Sequence, residues 1–524
     1  MSTYEMDDKN GDVPRSRSGA VNEEQGTESN TTSDEAVLAR FGKRQQLRRG
    51  FRAMSAVGLT CGIMLTWEVL IMTLQFGLEN GGPAGLIYGY IVAWIGAGLQ
   101  ALVMAEMASM IPIAGGPFNW VAILAPDYCR KFLSYLTGWL SVLAWQSIVA
   151  NTCYICGTLI QGLLVLNYPS YHFQRWHGTL LFIAVLTFGL IVNTWLGRLL
   201  PRIESLTLLL YVMGFVAVLV TLVYLAPHKS ASEVFTTFQN LGGWNSMGLS
   251  FFVGFITTMG SFLGIDGADH IAEECQDAQR VVPRAMMWSI GINGAMGFGI
   301  LLAVLFCMGD PEEAVVSPTG FPFIDIFVYG TGSISGGTGL TAIVLSINIF
   351  SVTAVLATAS RMLWAFSREN GLPFSNIIAR VDTRTRLPLY AIGVTCAINV
   401  CLSLINIGST QAFQAFISLL IASYYSAFLI AAGVMLRKRL TGEDKTLPWG
   451  PFRLGKAGIP VTVVAMLYTI IGTFFSFWPF TPEVDAHIMN YSSLLYGAAM
   501  IFSVTFYFLR ARKTYKGPVY ELNE

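Results

Sequence analysis

Hydropathy along the chain falls into twelve long apolar windows separated by short polar, Gly- and Pro-containing stretches. The windows run approximately 54–77, 85–111, 133–163, 178–197, 203–225, 247–272, 285–308, 338–366, 389–407, 412–436, 459–478 and 491–509. A helix needs about 20 apolar residues to cross about 30 Å of hydrocarbon, so the pattern predicts an all-α integral membrane protein with 12 transmembrane helices. The third and eighth windows are long enough for strong tilt or for extension beyond the bilayer. The two longest loops on the far side, after windows five and seven, carry Pro, Gly and acids such as Asp310, Glu312 and Glu313, and no soluble domain fits into them. Ahead of the first window, Met1 to about Arg40 is rich in Ser, Thr, Asn, Asp and Glu, with Tyr4 its one aromatic residue. Such a segment buries too little apolar surface to offset its ordering entropy. It is expected to be a disordered tail, drawn at 1–45, and with no apolar core before about Met54 no signal peptide is expected. The remaining divisions are a core of spans one to ten at 46–440, spans eleven and twelve at 441–510, and a short tail at 511–524.

Composition agrees with the pattern. The 524 residues are 53% hydrophobic and only 12% charged, with a mean hydropathy of +0.56, too apolar for a soluble globular chain. The charges balance to zero, so bulk electrostatics gives no reason to expect a nucleic-acid partner. Their distribution is more telling. Lys43, Arg44, Arg48, Arg49, Arg52, Arg130, Lys131, Arg198, Arg202, Arg280, Arg284, Arg368, Arg437, Lys438, Arg439, Arg510 and Arg512 all fall on the side of the N-terminus, against Arg175 and Lys229 on the other. By the positive-inside rule both termini are cytoplasmic. Cys153 and Cys156 form a CxxC inside the third window without a companion His or second CxxC, which reads as helix packing rather than a redox or metal site. No cofactor or metal is expected. The sequons at Asn30 and Asn490 decide little, the first lying in the tail and the second abutting the membrane.

Two windows contain the candidate chemistry. Window one has Gly58 and Gly62 ahead of Thr66, Trp67 and Glu68; window six has Gly254, Gly260, Gly264 and Gly267 leading into Asp266, Asp269, His270, Glu273 and Glu274. A central acid costs roughly 2.5 to 3.5 kcal/mol on insertion scales, so such groups face protein or a water-filled path. Glycine lowers the cost of leaving helical geometry, and Gly-interrupted spans at corresponding places in two halves point to a transporter binding site. Glycine also permits close helix packing, and for window one both readings stand. If the helix resumes near Gly267, Asp269 faces Glu273 and His270 faces Glu274 at i,i+4, with Asp266 at the break. The cluster suits a proton relay, an ammonium site or a gate; for Glu273 and Glu274 the plainer reading is pairing with Arg280 and Arg284 at the cytoplasmic surface. Glu68 beside Trp67 suits either a cationic substrate or a hydrogen-bonded carboxyl tying helices together.

These residues resemble the amino acid-polyamine-organocation superfamily and, within it, the fungal amino acid/choline permeases. The resemblance rests on GIDGADHIAEECQDAQRVVPRAM from Gly264, AEMASMIPIAGGPFNW from Ala105, ATASRMLWAFSRENGLPFS from Ala357, GPFRLGKAGIPV from Gly450 and the Thr66–Glu68 triplet, and it covers about residues 50 to 520. It implies a 5+5 inverted repeat with broken helices 1 and 6 plus two C-terminal helices, working by alternating access on the proton gradient. Substrate contact is then expected from Gly62, Leu65, Thr66, Trp67, Glu68, Phe262, Gly264, Asp266 and Gly267, and coupling or gating from Asp266, His270, Glu273 and Glu274. Many family members carry G-[ST]-G where this chain has Leu65-Thr66-Trp67, which weakens the case for an α-amino acid carboxylate there. Tyr424 and Tyr425 of window ten line the pathway or pack. The expected function is a secondary transporter importing a small amine-bearing solute such as choline, an amino acid or GABA with a proton, its partners being the solute, protons and membrane lipids. The plasma membrane is placed ahead of the vacuole. A non-transporting nutrient sensor on the same scaffold is the alternative. No nucleophile elbow, phosphate loop or metal cluster suggests an enzyme.

Overall fold

The computed structural model describes residues 34–309, 317–408, 412–484, 489–515 and 517. Asp310, Glu312, Glu313 and the sequon at Asn30 lie outside the described residues. The chain is an all-α membrane bundle in which, among the described residues, eleven helical segments are long and apolar enough to cross a bilayer. Its helices are α1 (Ala53–Met64), α2 (Thr66–Met72), α3 (Gly82–Met110), α4 (Pro117–Leu124), α5 (Asp127–Asn167), α6 (Arg175–Trp195), α7 (Leu200–Leu225), α8 (Met247–Gly260), α9 (Ala278–Cys307), α10 (Pro322–Thr331), α11 (Ile334–Arg368), α12 (Leu389–Ser403), α13 (Ala412–Leu440), α14 (Gly458–Phe475) and α15 (Ser492–Phe506). Proline in the first turn starts α3, α4, α7 and α10, where its missing N–H has no intrahelical partner to lose. Ser246 caps α8 by accepting from Leu249 N–H at 3.2 Å. Helices suit this environment because each satisfies its own backbone in a medium without water.

Burial sorts the helices into a core and a rim. α1 and α2 are enclosed almost entirely, whereas α7 exposes Leu206, Leu209, Met213, Val216 and Val220 in the way a lipid-facing surface does. α1 and α2 are separated by Leu65, which sits in left-handed backbone at φ 43°. α8 stops at Gly260, short of the 247–272 expected from hydropathy, and turns carry the chain to a single helical turn at Gly267–His270.

The two segments are tied to each other at both ends. Asn80–Gly81, beyond α2, pairs antiparallel with Gln239–Asn240, which precedes α8. Phe51, ahead of α1, bridges to Cys275, beyond the α8 turns. The Gly50 and Phe51 N–H groups both donate to Glu274 O, at 2.9 and 3.0 Å. The start of one interrupted span therefore lies beside the end of the other.

Residues 34–45 depart from the tail expected of them. A helical turn over 34–40 and the following loop pack onto the N-terminal face, with Leu38, Lys43 and Leu47 buried. Asp34 accepts from Asp277 N–H at 3.0 Å and pairs with Arg49 at 3.3 Å. Burial pushes the Asp34 carboxyl above its ordinary range, against the pull of the Asp277 N–H and of Arg49.

Candidate functional site

The two interruptions meet at Ile63. A Cβ on Gly264, itself at φ +87°, would lie 2.5 Å from Ile63 Cγ2, and one on Gly267 would lie 2.6 Å from Ile63 Cδ1. Neighbouring helices hold the first interruption through polar side chains. Asn293 of α9 accepts from Thr66 N–H at 3.3 Å and from Tyr211 O–H at 2.6 Å. Ser351 of α11 donates to Gly62 O at 2.5 Å. Asn348, one turn earlier in α11, donates to a Glu68 oxygen. The other Glu68 oxygen is buried without a partner among the described residues, and Trp67 packs on Tyr211 and Phe215 with ring centroids 5.8 and 6.2 Å apart.

At the second interruption, Asp266 Oδ2 and His270 Nε2 share a hydrogen bond of 3.0 Å. The Asp266 N–H donates to Tyr424 Oη at 3.4 Å, and His270 stands edge-on to Trp145 at 5.0 Å. Phe262 turns toward Tyr90, with centroids 5.2 Å apart. The buried Asp269 carboxylate rests against the turn at Gly116, where a Cβ would come within 2.7 Å of its Oδ2. Gly115 and Gly116 are both at positive φ, which lets that turn pass so close.

Two cavities flank this point. One, about 30 Å³, is lined by Val69, Thr73, Asn151, Thr257, Leu263 and Leu420 among others, between the interruptions and the Asn80 end of the bundle. Its buried polar atoms Asn151 Oδ1 and Thr257 Oγ1 have no partner among the described residues. The second, about 10 Å³, is lined by Ser141, Trp145, Asp266, Tyr424 and Phe428 and others. Both follow α5 and α13, with Leu263 and Asp266 between them. Trp67, Glu68 and Phe262 line neither cavity.

Ion pairs close the opposite side. Glu273 receives two hydrogen bonds from Arg368, at 3.0 and 2.6 Å, and Glu274 receives Arg361 Nε at 2.8 Å. Lys43 pairs with Glu369 beside them, Gln45 donates to Glu273 O at 2.8 Å and Arg49 to Cys275 O at 2.6 Å. The sequence expected Arg280 and Arg284 as partners of the two glutamates. Instead Arg280 reaches Asp277 on the surface at 3.5 Å, because the helix does not continue past His270 and the turns aim Glu273 and Glu274 at α11. For the same reason the i,i+4 facing of Asp269 with Glu273 and of His270 with Glu274 is not formed, and Asp266 pairs with His270.

The sequence reading also passed over Glu204. It is fully buried on α7, accepts from Thr353 O–H at 3.1 Å, and its Oε2 has no partner among the described residues. A Cβ on Gly62 would lie 3.7 Å from that oxygen. A charged residue inside the α7 window was the available signal. Asn490, the second sequon, is buried and donates to Ser418 Oγ, Ser476 O and Trp478 O at 3.0 to 3.2 Å. Tyr425 donates to Met259 O at 3.5 Å and so packs rather than lining either cavity.

The profile of the family described as "Amino acid permease" matches residues 51–504. A Macrophomina phaseolina protein named as an amino acid/polyamine transporter is 31% identical over 438 residues, 83% of this chain and 96% of the relative. The choline transporter of Saccharomyces cerevisiae is 30% identical over 472 residues, 90% of this chain and 83% of the relative. Amino-acid permease 2 of Neurospora crassa is 26% identical over 496 residues, covering 94% and 90% of the two chains.

Proposed function

Since the chain belongs to the amino acid permease family, we propose that it imports a small amine-bearing solute, choline-like or amino acid-like, together with a proton. As a family member it is a membrane permease and not an enzyme. The observation that carries the finer reading is the meeting of two interrupted, oppositely tied helices at Ile63, with a small cavity lined by Leu263 on one side and buried ion pairs on the other. Unwound backbone at mid-depth persists where it lines a cavity or is enclosed by protein. A site open to one side and sealed on the other is what alternating access requires of one of its states.

In this reading α8 and the turns after it form a twelfth span, the first ten spans form the 5+5 repeat, and both termini are cytoplasmic. The ion pairs of Glu273 and Glu274 with Arg368 and Arg361 are the inner gate, drawn closed. The solute enters from outside above Leu263, and its ammonium group is directed toward Asp266. Asp266 with His270, Glu68 with Asn348, and Glu204 with Thr353 are the carboxyls available for a coupled proton, each buried and each with one oxygen lacking a partner among the described residues. Choline is favoured over an α-amino acid by Leu65 and Trp67, bulky where a carboxylate cradle needs small residues, and by the kinship with a choline transporter. The plasma membrane is the expected location.

The test is uptake of a radiolabelled panel of choline, GABA and α-amino acids into yeast lacking its own permeases, at pH 5 and pH 7.5. Uptake of at least one solute, faster at pH 5 and collapsed by an uncoupler, is expected. Uptake indifferent to both would remove the proton, and a nutrient-dependent signal without uptake would favour a sensor.

A further inference from the structure

The segments that close the N-terminal face border a third cavity, about 460 Å³, whose chemistry differs from that of the other two. Arg48, Arg49 and Arg52 reach it from the approach to α1, Arg198 from the link between α6 and α7, Arg202 from the first turn of α7, and Arg386 from the turn before α12. Glu274 is the one acid in this lining among the described residues, and Arg361 already occupies it at 2.8 Å. Arg49 is engaged by Asp34 and by Cys275 O, and Arg198 donates to Arg384 O at 3.1 Å. Arg48, Arg52, Arg202 and Arg386 are exposed and form no ion pair with another described residue.

Guanidinium groups stay charged at any physiological pH, so converging six of them on a lining whose one acid, Glu274, is already paired with Arg361 costs repulsion that an anion relieves. Arg386 is also held in left-handed backbone at φ 56°. The turn that holds it is built for the purpose: Asp382 accepts from Thr385 N–H at 2.6 Å and Thr385 O–H at 2.7 Å, and Arg386 N–H donates to Asp382 O at 2.8 Å. Strained positions of this kind cluster at ligand clamps. Trp195 is 82% exposed three residues before Arg198, Leu199 is exposed just after Arg198, and Met54 is exposed two residues after Arg52. Tryptophan and apolar side chains bordering arginines mark a membrane–water interface.

We propose that this cavity is a binding site for the multiply charged phosphate head group of a membrane lipid. Arginine forks bind phosphate oxygens two at a time, and clustered basic residues at the cytoplasmic surface attract polyphosphorylated lipids. The arginines come from three separate segments, one of which leads directly into α1. A bound head group therefore ties α1 to the α6–α7 link in the closed arrangement.

The test titrates the full chain, purified in detergent, with phosphatidylinositol bisphosphate or phosphatidylcholine and counts retained lipid by native mass spectrometry. A parallel arm uses inositol trisphosphate, the head group without acyl chains. Expected is one saturable bisphosphate lipid per chain and no retained phosphatidylcholine. The triple variant R48Q/R52Q/R202Q should weaken binding at least tenfold. K445Q/K456Q/R510Q, which removes the same charge elsewhere on the exposed surface, should change it less than twofold. R48K/R52K/R202K keeps the charge but not the fork and should fall between them. Equal losses in the two glutamine triples, or no saturable binding, would overturn the site. Binding of the soluble head group as tight as that of the lipid would overturn the lipid as its occupant.

Discussion

Glu273 and Arg368 form a two-bond pair whose side chains are nearly closed to solvent. Removing one partner of a buried pair typically costs about 3 to 5 kcal/mol, because the other charge stays buried alone. Glu273→Gln should therefore lower the thermal transition of the detergent-purified protein by several degrees, and Glu273→Gln with Arg368→Met should lower it less than Glu273→Gln alone. Asp266→Asn keeps a partner for His270 but removes the charge, so uptake should fall to background while the amount at the cell surface stays normal. Glu68→Gln can still accept from Asn348. Because Glu68 is a carboxyl available for the coupled proton and lines neither cavity, this change is expected to lower uptake of every transported solute alike in the panel assay and to blunt the gain at pH 5. The acids were visible in the sequence because hydrocarbon does not tolerate them. The partners of Glu273 and Glu274 were not, since hydropathy does not say which face of α11 meets which turn, and the nearest basic residues in the chain belong to the surface.

Among the elements, the glycines separate packing from geometry. A Cβ at Gly254 on α8 would sit 1.7 Å from the carbonyl oxygen of Asn80, whereas one at Gly248 on the same helix would meet nothing within 4 Å. Gly254→Ala should sharply reduce folded protein, seen as lost monodisperse material on size exclusion. Gly248→Ala should be neutral or stabilising by up to about 1 kcal/mol. The stretches that carried the family resemblance turn out to touch one another. Glu106 accepts from Arg439 and from Leu454 N–H, Ser109 accepts from Phe452 N–H at 3.0 Å and donates to Gln279 O at 2.9 Å. Arg361 and Arg368 of the third stretch hold Glu274 and Glu273 of the first. Their conjunction on one face was not legible from spacing, because it depends on contacts between residues up to 348 positions apart. Window length was likewise misleading at α8, where apolar turns continue the hydropathy signal after the helix has ended.

For the whole molecule, the all-α membrane class and the places of eleven long apolar helices among the described residues followed from hydropathy alone, because a bilayer imposes both length and composition. Which conformation the bundle holds did not, since it is set by the ion pairs on one side and the cavity on the other. Glu443 on the surface does not contribute to a response of uptake between pH 5 and 7.5, being pulled down to about 2 by Lys438 and its neighbours Thr441 and Arg437. With a depressed folded value, that group's contribution is present throughout this range and is lost only as pH falls toward 2. The most direct measurement is uptake into proteoliposomes holding the purified chain, with choline and an amino acid panel outside and an imposed pH gradient, acid outside. The account predicts accumulation of one solute class above its external concentration, abolished by an uncoupler and by Asp266→Asn. Equilibration without accumulation, or accumulation undiminished in the Asp266→Asn protein, would contradict it.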